Sequence, residues 1–507
     1  MRKQYELIPI GYSNRPAFLL LIGCVIGVLL FYANWLLWGT LSLCVISTIT
    51  IILLRKYASL EPVLWVSIIA IFFGTYSSIR SQEWEILPHG STINEAPIRV
   101  NYPVANSAES AIKYHAQVQI KDNRWVTILL STPEELPKEV AFGSEGVCTL
   151  DLSRLELHTD RKYDKYLISE GYVAEGYLQK VTNLTPLSRP PMMSIFHRFR
   201  SDIEQNFEKI CRGYLPWSRL GLIYALSLGD RSLLPQATKD QFSTSGVSHI
   251  LAVSGYHLGV VFALVSLIFN RLIWRYEYRK WRYLLIFLSL LIYTLLTGTS
   301  TPTLRALVMI SVALIAKSLN RPIDPIQLLS LTMLFFLLYN PFAYYSIGLL
   351  LSIGAVWGIF SFLPIFRSLI HPCAKWSRWI TNVVSVTLSA QIGIFPLLFI
   401  FFGSSTIGFI WSNIPIVLIS SLLIPFALIC LIFAMIFGWL PNIFITILNA
   451  LVSMMEGVTS FFSEESIQVS IPFDGMALIA YYAIAFCLYR WLYLRTESII
   501  CAREDKH

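Results

Sequence analysis

Beyond Ser248 the chain runs through one apolar segment after another, each close to the length that crosses a bilayer. They lie near 248–270, 283–298, 303–318, 326–340, 346–365 and 381–402, with a last one at 474–493. A lipid core offers no partner to an exposed peptide group, so a chain of this kind folds there as helices or as a closed barrel. Runs of about 20 residues select helices. The composition agrees. Of 507 residues 55% are hydrophobic and 14% charged, and mean hydropathy is +0.60. A soluble domain carries nearer a quarter charged residues. These values exclude a disordered chain, a disulfide scaffold and an ordinary cytosolic enzyme.

The N-terminal part adds further spans. Ala17–Leu54 is a run of 38 residues, read as two spans turning near Tyr32–Trp35, and a third covers Pro62–Tyr76. No small-residue cleavage site follows a short apolar core, so this region is expected to be a retained anchor. Residues 406–438 contain Pro415 and Pro425 and read as a broken pair that crosses twice, giving about 12 spans. Residues 441–465 read as an outer interfacial helix. Arg2, Lys3, Arg15, Arg55 and Lys56 flank the first spans, and Arg271, Arg275, Arg279, Lys280 and Arg282 crowd one later loop. With Arg490, Arg495, Arg503 and Lys506 they place both termini in the cytoplasm.

Residues 80–195 are different in kind. Ile98–Tyr102, His115–Ile120 and Trp125–Leu130 alternate apolar and polar residues, the period of half-buried strands. About 110 such residues predict a small extracytoplasmic barrel, OB-like by preference. From Arg80 to Arg200 there are 14 basic and 15 acidic residues, too near neutrality for a strong nucleic-acid platform. The expected fold is therefore a polytopic α-helical membrane protein with an inserted OB-like β-barrel. Its parts are three helices in 1–79, the barrel in 80–195, amphipathic interfacial helices in 196–247, a channel-like helical domain in 248–495, and a cytoplasmic tail in 496–507.

Polar residues inside apolar helices are costly and mark pores or pairings. The densest group is Ser245–Gly259, which holds His249, Ser254, Gly255, His257 and Gly259. In an unbroken helix His249 and His257 would share a face, and Gly255 with Gly259 forms a GxxxG pattern that permits close helix approach. Ser254 and His257 also raise the possibility of a nucleophile and base. However, Ala252 stands where a GxSxG elbow needs glycine, and no acid lies nearby to orient the ring. Helix-packing histidines are the plainer alternative. Gly298–Arg305 is a second hydroxyl-rich group, whose Arg305 either snorkels to the interface or meets an anion. Gln391 and Asn413 are further pore candidates or interhelical glue. No glycine precedes a lysine, so there is no Walker A loop. The eight histidines form neither HxH nor HExxH, and the eight cysteines no CxxC, so no metal site is expected.

Several stretches together resemble the ComEC family of bacterial competence proteins. Leu226–Leu234, containing Gly229, Asp230 and Arg231, is similar to the family's L-x-x-G-D-R segment. Ser245–His257 is similar to (T/S)-G-x-x-H-x-L-A-(I/V)-S-G-x-H. Tyr293, Gly298, Arg305, Ala306 and Met309 follow the Y-x-x-x-x-G…R-A-x-x-M run. Asn340-Pro341, Ala390-Gln391…Pro396, Phe402-Gly403 and Asn413 follow in family order, and upstream Tyr163-Asp164-Lys165-Tyr166-Leu167 resembles F-D-Y-x-x-Y-L. In Gly348-Leu349-Leu350-Leu351-Ser352 the family's glutamine is replaced by Leu350. Many members carry a C-terminal metallo-β-lactamase-like domain. Only a dozen or so residues follow the last predicted span here, so the form without that domain is expected.

The resemblance implies an inner-membrane channel that passes single-stranded DNA into the cytoplasm, with His249, Ser254 and His257 lining the path, Arg305 supplying positive potential, and Gln391 and Asn413 donating hydrogen bonds. It implies no cofactor, no metal and no catalytic residue. The implied partners are single-stranded DNA, the bilayer, an extracytoplasmic DNA-receptor protein, a helicase-like motor and a separate nuclease, while a homo-oligomer is left open. A transporter or flippase for another polyanion or a lipid-linked glycan, a membrane enzyme and a membrane scaffold are the competing readings.

Overall fold

The computed structural model describes residues 20–26, 61–85, 90–369 (apart from 105–111, 121–123, 134–135, 157–160, 188–189, 323), 375–402, 405–406, 409–464, 468–469 and most of 477–491. Most of the expected first two spans and the C-terminal tail fall outside these residues. Among the described residues six helices are long and apolar enough to cross a membrane, with two shorter apolar helices besides. The chain gathers into two compact units.

The first unit holds 152–175, 311–346 and the described parts of 1–92. Helix α1 (Glu61–Glu85) packs Phe73 against Cys24 and Leu337, and the Tyr76 hydroxyl donates to the Leu338 carbonyl at 2.9 Å. The backbone of residues 20–26 comes so near α1 that a Cβ on Gly23 would lie 2.8 Å from the Val66 carbonyl oxygen. Helix α2 (Lys162–Ser169) buries Leu167 and Ile168 and leaves Tyr163 and Tyr166 exposed. Its C-terminal carbonyls, which no helical N–H reaches, are met by Asn340. That side chain donates to Ile168 O and Ser169 O, both at 3.0 Å, while its own Oδ1 accepts the Phe342 N–H at 3.0 Å. Two of the motif segments, 170 residues apart, therefore meet.

The second unit comprises 93–151, 176–310 and 347–507. Five strands, β1 (Ser91–Val104), β2 (Ile112–Ile120), β3 (Arg124–Thr132), β4 (Ser144–Arg154) and β5 (Ala174–Pro186), close a barrel in the order β1-β2-β3-β5-β4. The alternation read in the sequence is the inside/outside alternation of the strands. Tyr114, Ala116 and Val118 pair with Leu130, Ile128 and Val126 across a continuous antiparallel register and are buried. Register slips between Val100 and Tyr102 in β1, so Asn101 is the extra residue of a bulge. Five strands closed in non-sequential order form the small barrel expected.

The helical part of this unit is built on α3 (Met192–Cys211), α4 (Trp217–Ser227), α5 (Gln236–Thr244), α6 (Gly255–Leu272), α7 (Arg279–Leu296), α8 (Thr301–Ser318), α10 (Ile347–Leu369), α11 (Lys375–Phe402), α12 (Phe409–Phe437) and α13 (Asn442–Glu464); α9 (Pro325–Tyr339) precedes α10 in the chain. Its core joins Phe207, Tyr224, Phe242, Leu423, Leu448 and Met455. Helix α3 is amphipathic as expected, but α4 is not a surface helix, because Leu220–Ser227 are all buried. The expected break at 406–438 is absent. Helix α12 is continuous over 29 residues with Pro415 and Pro425 inside it, about 44 Å of helix. A proline removes one donor from the ladder, and between the two prolines hydroxyls add bonds to the backbone. Ser420 and Ser421 donate to Val417 O and Leu418 O, and the Tyr256 hydroxyl also donates to Val417 O at 2.8 Å. Helix α13, expected to lie on the surface, is one of the six candidate spans. Ile445, Leu448, Val452 and Met455 face the core, and Ile443, Met454 and Phe461 are exposed.

Candidate translocation site

The chain from Ser245 to His257 is a broken segment between two helices. Gly246 takes a left-handed φ of 78° that ends α5. One helical turn, Ser248–Leu251, follows, and then Ala252 goes extended. Ser254 caps α6 in a reciprocal box with His257. The Ser254 N–H donates to His257 Nδ1 at 3.2 Å, and Ser254 Oγ lies 3.0 Å from the same nitrogen. Nδ1 thus acts as acceptor, and the proton of the neutral ring sits on Nε2. Nε2 is buried and has no hydrogen-bond partner among the described residues. His257 is wholly buried, whereas His249 is exposed and lies beside Asn413. The two histidines therefore do not share the face of one unbroken helix, because the helix stops between them. They still come close enough to interact electrostatically, and Arg231 also acts on His257. The Ser254–His257 contact is a capping geometry, and no carboxylate is bonded to Nε2 among the described residues.

Two other motif segments converge on Val253, which lies inside this break. Gly229 has φ 80°, and a Cβ there would come within 2.9 Å of the Val253 side chain and 3.2 Å of Thr297 O. Asp230 accepts the Ser232 N–H at 2.8 Å, and Arg231 Nε donates to Leu251 O at 3.0 Å. From the other side Ser300 Oγ donates to Val253 O at 3.2 Å, with Thr303 bonded to Ser300 at 2.6 Å. Ser412 Oγ, at the start of α12, donates to Ser245 O at 2.7 Å. Arg305 is buried, and its Nη2 donates to Gly348 O at 2.8 Å, so it does not snorkel to an exposed interface. Gly255 meets Ala306 Cβ at 3.3 Å from its would-be Cβ, while Gly259 faces open space, so only the first glycine of the pattern serves helix approach.

Gln391 is half-buried on α11 and Asn413 buried on α12. Gln391 Oε1 and Asn413 Oδ1 have no hydrogen-bond partner among the described residues. Met309 and Ser352 are half-buried on α8 and α10, while Tyr163 and Asp164 belong to the other unit.

Two features were not singled out in the sequence. Gly354, Gly358 and Gly393 let α10 and α11 touch backbone to backbone. A Cβ on Gly393 would lie 1.9 Å from Gly354 O, and one on Gly358 would lie 2.2 Å from Ser389 O. The Gly354-x-x-x-Gly358 spacing was the available signal. The second feature is a stack of rings. Tyr102 lies parallel to His197 at 4.3 Å and to His115 at 4.9 Å. His115 Nδ1 faces the Asn101 amide at 3.1 Å. His197 packs beside Gly298, and Arg200, one turn on, pairs with Asp230 at 3.8 Å and Glu204 at 3.7 Å. Burial lowers His197 from 6.5 to about 3, aided by the Arg200 charge, and lowers His115 to about 4.

A membrane-integral helical protein with a small barrel, and a polar, helix-broken site held by these motifs, defines a competence-type membrane protein. The family profile described as Competence protein matches residues 226–495, more than half of the chain, and the chain belongs to that ComEC-type family. Recombination protein 2 of Haemophilus influenzae is 26% identical over 346 residues, 66% of this chain and 42% of the relative. ComE operon protein 3 of Bacillus subtilis is 30% identical over 217 residues, 43% of this chain and 26% of the relative. An uncharacterized protein of Escherichia coli, YcaI, is 25% identical over 223 residues. The matched part spans less than half the length of each of these relatives. No solved structure gives a significant match.

Proposed function

We propose that this chain is the inner-membrane channel through which single-stranded DNA reaches the cytoplasm in natural transformation. The observation that carries the reading is the site around Val253. There, inside an apolar helical unit, the backbone leaves helix geometry and exposes His249 beside Asn413. Irregular backbone at membrane depth is tolerated where it is buried in protein or lines water. His257 Nε2, Asn413 Oδ1 and Gln391 Oε1 are polar atoms that the described residues leave unbonded. Each such atom costs about 1–3 kcal/mol when dry, which favours a hydrated path. Neutral hydrogen-bonding groups of this kind replace hydration without holding a polyanion too tightly to leave. Arg305, buried on α8, contributes positive potential through its charge. A receptor outside, a helicase-like motor inside and a separate nuclease are the partners this role calls for, and assembly with further copies of the chain is compatible with it.

Crosslinking tests the path directly. A photo-crosslinker on H249C should capture single-stranded DNA during active uptake, and one on K209C should not. Absence of capture at position 249 while cells transform would remove this site from the path, and capture of a lipid-linked glycan in its place would favour the flippase reading.

A further inference from the structure

Helices α6 and α7 form a hairpin whose two ends differ sharply. One end carries the Ser254–His257 box and Thr297–Gly298. The other, about 27 Å away along α6, is the turn 271–282. That turn holds Arg271, Arg275, Arg279, Lys280 and Arg282 against the single acid Glu277. Aromatic rings are interleaved with the cations, and Trp274 is 76% and Trp281 64% exposed. The charge also explains why α7 is not among the six candidate spans, since three of its first four residues are cationic.

The placement of the rings separates two possible occupants. On α7 Trp281 begins a stripe of exposed apolar residues, Leu284, Leu288 and Ile292, spaced three and four apart. That stripe is one face of the helix, turned outward from the unit. Trp281 thus ends a lipid-facing surface and does not line a groove. Two guanidiniums rest on rings, Arg279 on Tyr276 at 4.4 Å and Arg282 on Tyr283 at 5.3 Å. Arg282 also donates to Ile273 O at 3.2 Å, which fixes the turn. A strand of nucleic acid needs ring faces open for base stacking, whereas here one face each of Tyr276 and Tyr283 is taken by a guanidinium. Indole rings at the hydrocarbon edge with cations just beyond them match a headgroup layer.

We propose that the 271–282 turn binds anionic phospholipid headgroups, with Trp274 and Trp281 seated at the hydrocarbon edge and Arg271, Arg275 and Lys280 reaching the phosphates. This site stands whether or not the chain conducts DNA. It gives the helix hairpin a preferred leaflet and a fixed depth.

The test uses the full-length protein in nanodiscs of equal phosphatidylglycerol and phosphatidylcholine, with the lipids retained after extraction counted by native mass spectrometry. Wild type should retain phosphatidylglycerol in excess, and raised salt should reduce the excess. R271Q/R275Q/K280Q should lower it by roughly fivefold for each cation removed. K113Q/R124Q/K180Q, an equal loss of charge on the barrel, should leave it unchanged. Equal retention of the two lipids by wild type, an equal loss in both variants, or displacement of the lipid by a single-stranded oligonucleotide would overturn the proposal. Should the first variant fail to fold, quenching settles it. Brominated phosphatidylglycerol should quench tryptophan fluorescence more than brominated phosphatidylcholine, and W274F/W281F should remove the difference. Equal quenching in wild type contradicts the site.

Discussion

His257 is the residue on which the site turns, because one ring both caps α6 and presents a buried, unbonded Nε2. Replacing it with alanine removes the capping bonds, a loss of about 1 kcal/mol, too little to unfold a chain held by so many helices. His257→Ala and Arg305→Ala are therefore expected to insert normally, as judged by membrane fractionation, and to lose transformation. Normal transformation in both would remove them from the path. The two histidines of the ring stack make a different prediction. His197 and His115 are held near 3 and 4 in the folded protein against an ordinary 6.5. Folding thus favours their neutral forms, so the unfolded chain binds more protons than the folded one between those values. The stability they contribute is complete above about pH 6.5 and declines as pH falls toward 3, by at most about 1.4 kcal/mol per pH unit for each ring. Melting temperature followed from pH 7.5 to 4.5 should fall, and His197→Phe, which keeps the stack on Tyr102, should flatten the curve. An unchanged slope would show that the rings are protonated in the folded state. Both residues stand in the sequence without a mark to distinguish them, because the stack depends on a β1 bulge and a helix that the chain reaches some 90 residues later.

At the scale of elements, the close contact of α10 with α11 rests on hydrogen atoms alone. Gly393→Ala puts a methyl group 1.9 Å from a carbonyl oxygen, so the two helices must separate and repack. Overpacking of this kind costs about 1–3 kcal/mol. The variant is expected to accumulate poorly and to melt lower in detergent than Gly259→Ala, whose new methyl group meets nothing. Equal melting of the two would contradict the packing. The same elements show what a sequence can and cannot disclose. The strands of the barrel are legible because burial on one face imposes period two on Ala116–Ile120 and Val126–Leu130. Helices α6, α8 and α10 are legible because lipid-length apolar runs leave few other folds. The continuity of α12 is not, since Pro415 and Pro425 read as breaks in the sequence yet sit inside one unbroken helix. The burial of α4 is hidden in the same way, because Leu222, Ile223 and Leu226 are covered by α12 and α13, which the chain reaches much later. At the site, the motif order identified the segments that meet at Val253. The break between His249 and His257 depends on contacts from 229–231 and 300–303, which no local spacing reveals.

At the scale of the whole molecule, a family-matched helical domain over 226–495 is joined to a small barrel, and both the path and the lipid-binding turn that we propose belong to the helices. On the proposed function, this assembly carries DNA across the inner membrane. The most direct test is to give fluorescent or radiolabelled duplex DNA to transformable cells with and without the chain, and to score nuclease-protected DNA in the cytoplasm separately from DNA held at the surface or outside the inner membrane. Cells lacking the chain should still capture DNA outside but deliver none to the cytoplasm, and the wild-type chain should restore delivery. Undiminished arrival of labelled strand in the cytoplasm of the deletion strain would contradict it.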